Sequence, residues 1–287
     1  MAYAFEPSEP IGDAVRRIAG EQLDRIAAHL RDGDVHGARK RIKESRALLR
    51  LARSPLGDAF DAENAWYRDA ANRLSDARDI ESVVEALERL RKQTINADMR
   101  KKLTIERRRL ARRHARGAQQ RIDAVAGEIA DARARLASWP AIEDRFASIG
   151  DGAERTLRDG RRAFARAMES PSAERLHDLR KRVKDHWYHV QLLRHLWPDV
   201  MKGYASAIEQ LSRALGEAND LALAEPLIHD ELVREYAGSR RAELEWNALD
   251  AASRLFAEKP RAWRKRLRGY WRAAHVTAAA PASTSSP

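Results

Sequence analysis

Two stretches of this sequence place histidine, arginine and lysine at spacings suited to gripping phosphate oxygens. Val35–Arg50 reads VHGARKRIKESRALLR, and Leu176–Gln191 reads LHDLRKRVKDHWYHVQ. On a helix turning about 100° per residue, Arg39, Lys40 and Lys43 fall within roughly 60° of His36, with Arg50 at about −40° and Arg46 near −80°. His177, Arg180, Lys181 and Lys184 repeat that face. Guanidinium groups bind phosphate oxygens in pairs, lysine acts as a mobile point charge, and a neutral imidazole still donates one hydrogen bond. No carboxylate falls on either stripe, so its charges repel one another unless an anion or solvent separates them. The bland alternative is the solvated face of an ordinary helical bundle. Recurrence at matched positions favours a binding face.

Chemistry beyond binding has little to work with. The chain has no cysteine, which excludes disulfides, thiolate metal sites and a cysteine nucleophile. It also lacks a glycine-rich phosphate loop, a Ser/His/Asp arrangement and a pair of carboxylates placed for acid–base work. His186 and His189 stand three apart beside Asp185, but no carboxylate joins them at ligand spacing, so they read as packing residues. Asp79 and Asp220 read as caps or structural ion pairs rather than catalytic acids. No catalytic residue, metal or cofactor is expected.

Net charge is +11, and its placement matters more than its size. Between Arg89 and Arg121 the sequence holds thirteen Lys or Arg against only Asp98 and Glu106, a concentrated field that attracts anions. Within it Arg108, Arg109, Arg112, Arg113 and Arg116 form a basic face, and Arg108 and Arg112 are candidates for a second wall of the binding surface. Arg155, Arg158, Arg162 and Arg166 make a further stripe that either extends the site or pairs with neighbouring acids.

The elements that must position these residues are helices. Apolar spacing is helical throughout, glycine and proline are sparse, and no period-2 alternation stands out. The pattern predicts helices over Ile11–Arg31, Val35–Arg53, Asp58–Ala77 and Ile80–Lys92, then one long basic helix over Asp98–Ser138. After Trp139-Pro140 it resumes near Glu143 and breaks at Pro171. Further helices are predicted over Ala173–Trp197, Val200–Glu217, Glu225–Tyr236, Arg240–Glu258 and Arg261–Ala273, with Asp34 and Ser172 as N-caps. Behind the two stripes lie Val35, Ala38, Ile42, Leu49 and Ala52, and Leu176, Leu179, Val183, Val190 and Leu193.

The stripes belong to a larger repeat. An offset of 141 residues maps His36 onto His177, Arg39 onto Arg180, Lys40 onto Lys181 and Lys43 onto Lys184. The same offset carries Leu74–Asp79 onto Leu215–Asp220 without a gap. The expected fold is therefore all-α, with two tandem helical-bundle repeats, 8–140 and 141–275, related by a pseudo-two-fold axis. Residues 276–287 (ending TAAAPASTSSP) are expected to be a disordered tail.

The motif H-x-x-R-K-x-x-K, present twice, with an R-D or N-D element some forty residues later, resembles the CHAD domain (conserved histidine α-helical domain). His36, Arg39, Lys40, Lys43 and Arg46 match it in the first copy. In the second, His177, Arg180, Lys181 and Lys184 match, and Trp187 stands where Arg46 would fall. The resemblance implies two four-helix bundles, a basic histidine-containing surface and binding of inorganic polyphosphate, often at polyphosphate granules. Some members carry a triphosphate-hydrolysing domain with an E-x-E-x-K strand; the nearest string here, Glu243-Leu244-Glu245-Trp246-Asn247, lacks the lysine and sits in a helical pattern.

The expectation is a standalone, non-catalytic binder of inorganic polyphosphate. Nucleic acid is the second reading and phosphoryl-transfer catalysis a third. No stretch reaches the ~20 apolar residues of a membrane span, and the first residues lack a signal-peptide pattern. The expected location is the cytoplasm, on polyphosphate granules.

Overall fold

The computed structural model describes residues 3–74, 78–112 and 118–279, and no strand occurs among them. The chain runs through α1 (Ile11–Arg31), α2 (Val35–Leu51), the single turn α3 (Arg53–Leu56), α4 (Asp58–Arg73) and α5 (Arg78–Gln93). It continues through α6 (Ala97–Ala111), α7 (Ala118–Gly127), α8 (Ile129–Arg135), α9 (Ala147–Glu169) and α10 (Ala173–Leu192). Last come α11 (Pro198–Ala224), α12 (Glu231–Leu255) and α13 (Pro260–Ala279).

Local chemistry sets many of the ends. The Asp34 carboxylate accepts from the Gly37 amide at 2.8 Å, and the Ser172 hydroxyl from the Arg175 amide at 3.2 Å. Each satisfies an amide that has no partner in the first helical turn. Gly33, with φ of 69°, ends the α1–α2 link in the left-handed region that favours glycine.

Several predicted elements are redrawn. The long basic helix over Asp98–Ser138 is broken. α6 stops at Ala111, α7 and α8 are separate segments around Glu128, and Leu136–Ser138 tightens into a 3₁₀ turn. The two ends serve different cores: α6 packs on α5 and α12, whereas α7 and α8 pack on α1. Glu128 itself is taken by Arg73 at 2.6 and 2.7 Å and by the Trp66 indole at 2.9 Å. Next, α10 ends at Leu192, and Pro198 opens α11, where its missing amide hydrogen costs nothing. Finally, the segments expected over Val200–Glu217, Glu225–Tyr236 and Arg240–Glu258 become α11, a 3₁₀ turn at Glu225–Leu227, and one continuous α12 capped by Asp230. α13 runs on through Val276–Ala279, against the expectation of a tail from residue 276; 280–287 lie outside the described residues.

Two apolar clusters hold the fold. The larger draws on α1, α2, α4, α7 to α10, the first half of α11, the end of α12 and α13. The smaller is a four-helix arrangement of α5, α6, the second half of α11 and the first half of α12, around Leu87, Leu103, Leu221 and Val233. Both clusters take residues from both halves of the chain. α2 packs on α1 and α4, α10 packs on α9 and α11, and α2 meets α10 directly.

Candidate functional site

α2 and α10 bury the backs predicted for them. Ala38, Ile42, Leu49 and Ala52 are at most 1% exposed, as are Leu179, Val183, Val190 and Leu193. Burying these aliphatic groups holds each helix with its cationic side outward. The two helices run past each other in opposite senses. The His189 Nε2 lies 2.8 Å from the Ala47 carbonyl, while Arg50 reaches back to Asp185 at 2.7 Å.

On α2, His36 and Lys40 are exposed and Lys43 half-buried. Gly37 permits the turn that places them: a β-carbon there would lie 2.3 Å from His29 Nδ1 and 2.4 Å from Asp34 Oδ2. Arg39 donates to the Ala71 carbonyl of α4 at 2.8 Å. Arg46 donates to Asn64 at 3.1 Å, and burial, aided by Arg50, brings its pKa down to about 10. Arg50 leaves the stripe for its ion pair with Asp185, whose carboxyl burial pushes upward and Arg50 and Arg182 pull back.

On α10, His177 Nδ1 lies 2.7 Å from the Asn219 side-chain oxygen of α11. Arg180 lies along Gly216 of the same helix, where a β-carbon would come within 3.5 Å of its Nε. Lys181 is exposed. Asp178, one residue after His177, gathers Arg166 at 2.8 Å, Arg182 at 3.5 Å and Lys181 at 3.9 Å. Lys184 sits over the rings of Trp187 and Tyr188, 5.1 and 5.7 Å from their centroids.

Both stripes act on Lys184. Burial lowers its pKa first, and the charges of Arg180 and of Lys40 lower it further. Lys40 comes from α2, so cations from the two copies share one field. Around the Arg50–Asp185 pair, α2, α3, α4, α9 and α10 line a polar cavity of about 260 Å³, to which Arg50, Arg53, Arg155 and Arg182 contribute along with Asp159 and Asp185. Arg155 lines this cavity, while Arg158 pairs with Glu154 at 2.5 Å and Arg166 with Asp178.

Other candidates fall elsewhere. Arg108 and Arg112 are exposed on or just beyond α6, over the smaller cluster. Arg109 turns inward to Glu106 at 2.6 Å and to the Leu227 carbonyl, so it is not part of an outward basic face. Arg113 and Arg116 lie outside the described residues. His186 and His189 are fully buried, and desolvation lowers their pKa values to about 3 and about 4. They pack in the core. Among the described residues no group of three His, Cys, Asp or Glu side chains could hold a metal ion. Asp220 makes a structural ion pair with Arg89 at 2.8 Å; the Asp79 side chain is not among those described. Helical context for Glu243–Asn247 is borne out, since these residues lie within α12.

Sequence reasoning missed Asp178 and Asn219 as partners of the α10 stripe, and Asp185 as the counterion of Arg50. Asp178 and Asp185 sit within the repeated segment, one on each side of Lys181, and were legible as departures from the α2 pattern.

A family model described as the CHAD domain matches residues 17–229. The chain belongs to the CHAD domain family. The matched span takes in both α2 and α10 and ends before α12 begins. No curated protein matches the chain. Among the described residues of this CHAD domain, no helix is long and apolar enough to cross a membrane.

Proposed function

We propose that this CHAD domain binds inorganic polyphosphate, without turning it over, on the joint face of α2 and α10. The supporting observation is that α2 and α10 pack directly against each other with their cationic sides outward, close enough for Lys40 of α2 to lower the pKa of Lys184 on α10. A linear polyanion relieves that repulsion along its length, and each phosphate contact also releases condensed counterions. His36, Arg39, Lys40 and Lys43 are the contacts on the α2 side, and His177, Arg180, Lys181 and Lys184 those on the α10 side. Arg46 and Arg50 shape the edge, and Arg108 and Arg112 offer a more distant anchor for long chains. The duplication supports a pseudo-two-fold relation between residues 8–140 and 141–275, with α2 and α10 as its partners. A chain held at one stripe reaches the other at high effective concentration. Anchoring at cytoplasmic polyphosphate granules follows from such binding.

Competition tests this reading. Labelled long-chain polyphosphate bound to the protein at physiological salt should resist displacement by equal phosphate equivalents of duplex DNA or RNA, and its length should be unchanged after incubation. Displacement by nucleic acid at equal phosphate would overturn the ligand, and shortened chains would overturn the non-catalytic role.

A further inference from the structure

A cationic concavity lies away from the α2–α10 face, where α13 packs against α9. Arg261, Lys265, Arg268 and Arg272 follow one another at three- or four-residue steps, with Arg264 beside Lys265. On a helix they fall within roughly 60° of one line and span about 16 Å along the axis. They line a cavity of about 590 Å³, which Arg145 enters from the segment before α9.

The acids nearby neutralise only part of this charge. Arg264 pairs with Asp151 at 2.7 Å and with Glu154 at 3.4 Å, and Arg145 with Glu143 at 2.7 Å. Glu154 is shared with Arg158 on its other side. Among the described residues no carboxylate pairs with Arg261, Lys265, Arg268 or Arg272, and all four are exposed. Like charges three and four residues apart on a helix destabilise it, so this face bears an uncompensated cost that a bound anion removes.

The cavity also has an apolar wall. Phe146 is buried at its base, and Trp271, with its ring centroid 6.3 Å from that of Phe146, flanks the cationic line. A half-open concavity of this size with one aromatic wall and several convergent cations suits a compact ligand. α13 lies beyond the residues that match the family, so nothing in that match accounts for its charge.

We propose that this cavity is a separate binding site for a small anion carrying two or three linked phosphoryl groups. The phosphoryl oxygens lie against Arg261, Lys265, Arg268 and Arg272, where guanidinium forks and an ammonium satisfy them. Trp271 borders the end at which a ring attached to the phosphates would rest. The source is inorganic, as in tripolyphosphate, or a nucleoside triphosphate, whose base would stack on the indole. The inference stands on α13 and does not rest on the reading of α2 and α10.

The test is calorimetric titration of the full chain at physiological salt with sodium tripolyphosphate, and separately with adenosine triphosphate. The triple variant Arg261→Gln, Lys265→Gln, Arg268→Gln changes exposed side chains only; circular dichroism checks that it folds. The expected result is saturable one-to-one binding that the triple variant weakens at least tenfold. Tighter binding of the nucleotide, lost in Trp271→Leu, assigns the nucleoside source, and equal or tighter binding of tripolyphosphate assigns the inorganic one. No saturable binding of either ligand, or unchanged affinity in the folded triple variant, overturns the site. So does a loss that follows Lys40→Gln with Lys181→Gln instead. Failure of the α2–α10 reading shows separately, as long-chain polyphosphate binding that ignores Lys40 and Lys181.

Discussion

At positions 141 residues apart, α2 has Gly37 where α10 has Asp178, and Arg46 where α10 has Trp187. Behind the stripes, Ser45 and Leu48 of α2 correspond to His186 and His189 of α10 at the same offset. The cationic register is common to both, but its surroundings differ. On α2 the exposed pair His36 and Lys40 follows a capping Asp34, whose carboxyl is held low chiefly by the Gly37 amide. On α10, Asp178 borders the stripe and draws in Arg166, Lys181 and Arg182. Trp187 replaces a charge with a ring on which Lys184 rests. A repeated motif therefore does not yield two equal sites: the field that each copy presents depends on which neighbours neutralise it.

The strongest way to break this comparison is to reverse charge in one copy at a time. Lys40→Glu with Lys43→Glu should weaken long-chain polyphosphate binding by about a hundredfold, roughly 2.7 kcal/mol. Lys181→Glu with Lys184→Glu should weaken it by more than tenfold but less than the α2 pair, because Asp178 already discounts that stripe. Fluorescence anisotropy with labelled polyphosphate ranks the two. Equal losses would mean that Asp178 has no influence, and a null result for either pair would mean that only one copy binds.

The backs of the helices differ in acid. Both buried imidazoles of α10 are neutral in the folded protein, with pKa values lowered from 6.5 to about 3 and about 4. As pH falls from 6.5 toward 4 they take up protons only in the unfolded chain, so the unfolded state binds more protons and stability drops. Each histidine should cost about 1 kcal/mol per pH unit between pH 6 and 5. His189→Leu, which gives α10 the residue of α2, should remove about half of that slope in urea melts at pH 6 and 5, whatever it does to stability at pH 7. An unaltered slope would place the acid sensitivity elsewhere in the molecule.

The smallest effect sharpens the comparison from the other side. Asp178→Asn releases Lys181, Arg166 and Arg182 from a partly exposed carboxylate, and exposed pairs are worth about 1 kcal/mol or less. Polyphosphate affinity should rise about threefold, roughly 0.7 kcal/mol, and the salt dependence should steepen as further cations join the contact. A loss of affinity would show that Asp178 orients its cations rather than screening them.

What the sequence determined by itself is the part governed by near neighbours. Helix formation, the caps at Asp34 and Ser172, and the division of α2 and α10 into buried and cationic faces all depend on residues within four positions of one another. The 141-residue offset was legible for the same reason, as a comparison of local strings. Only the tertiary structure decided which cations remain available. Arg50 is taken up by Asp185 and Arg109 by Glu106 and Leu227, while the Ala71 carbonyl orients Arg39 without neutralising it; Asp185 and Ala71 lie on other helices. It also decided that the basic run after Asp98 is divided between two cores, and that α13 meets α9 around a cationic cavity. Helical periodicity reports the face on which a charge sits. The charge that remains depends on contacts more than thirty residues away in sequence, which no local pattern encodes.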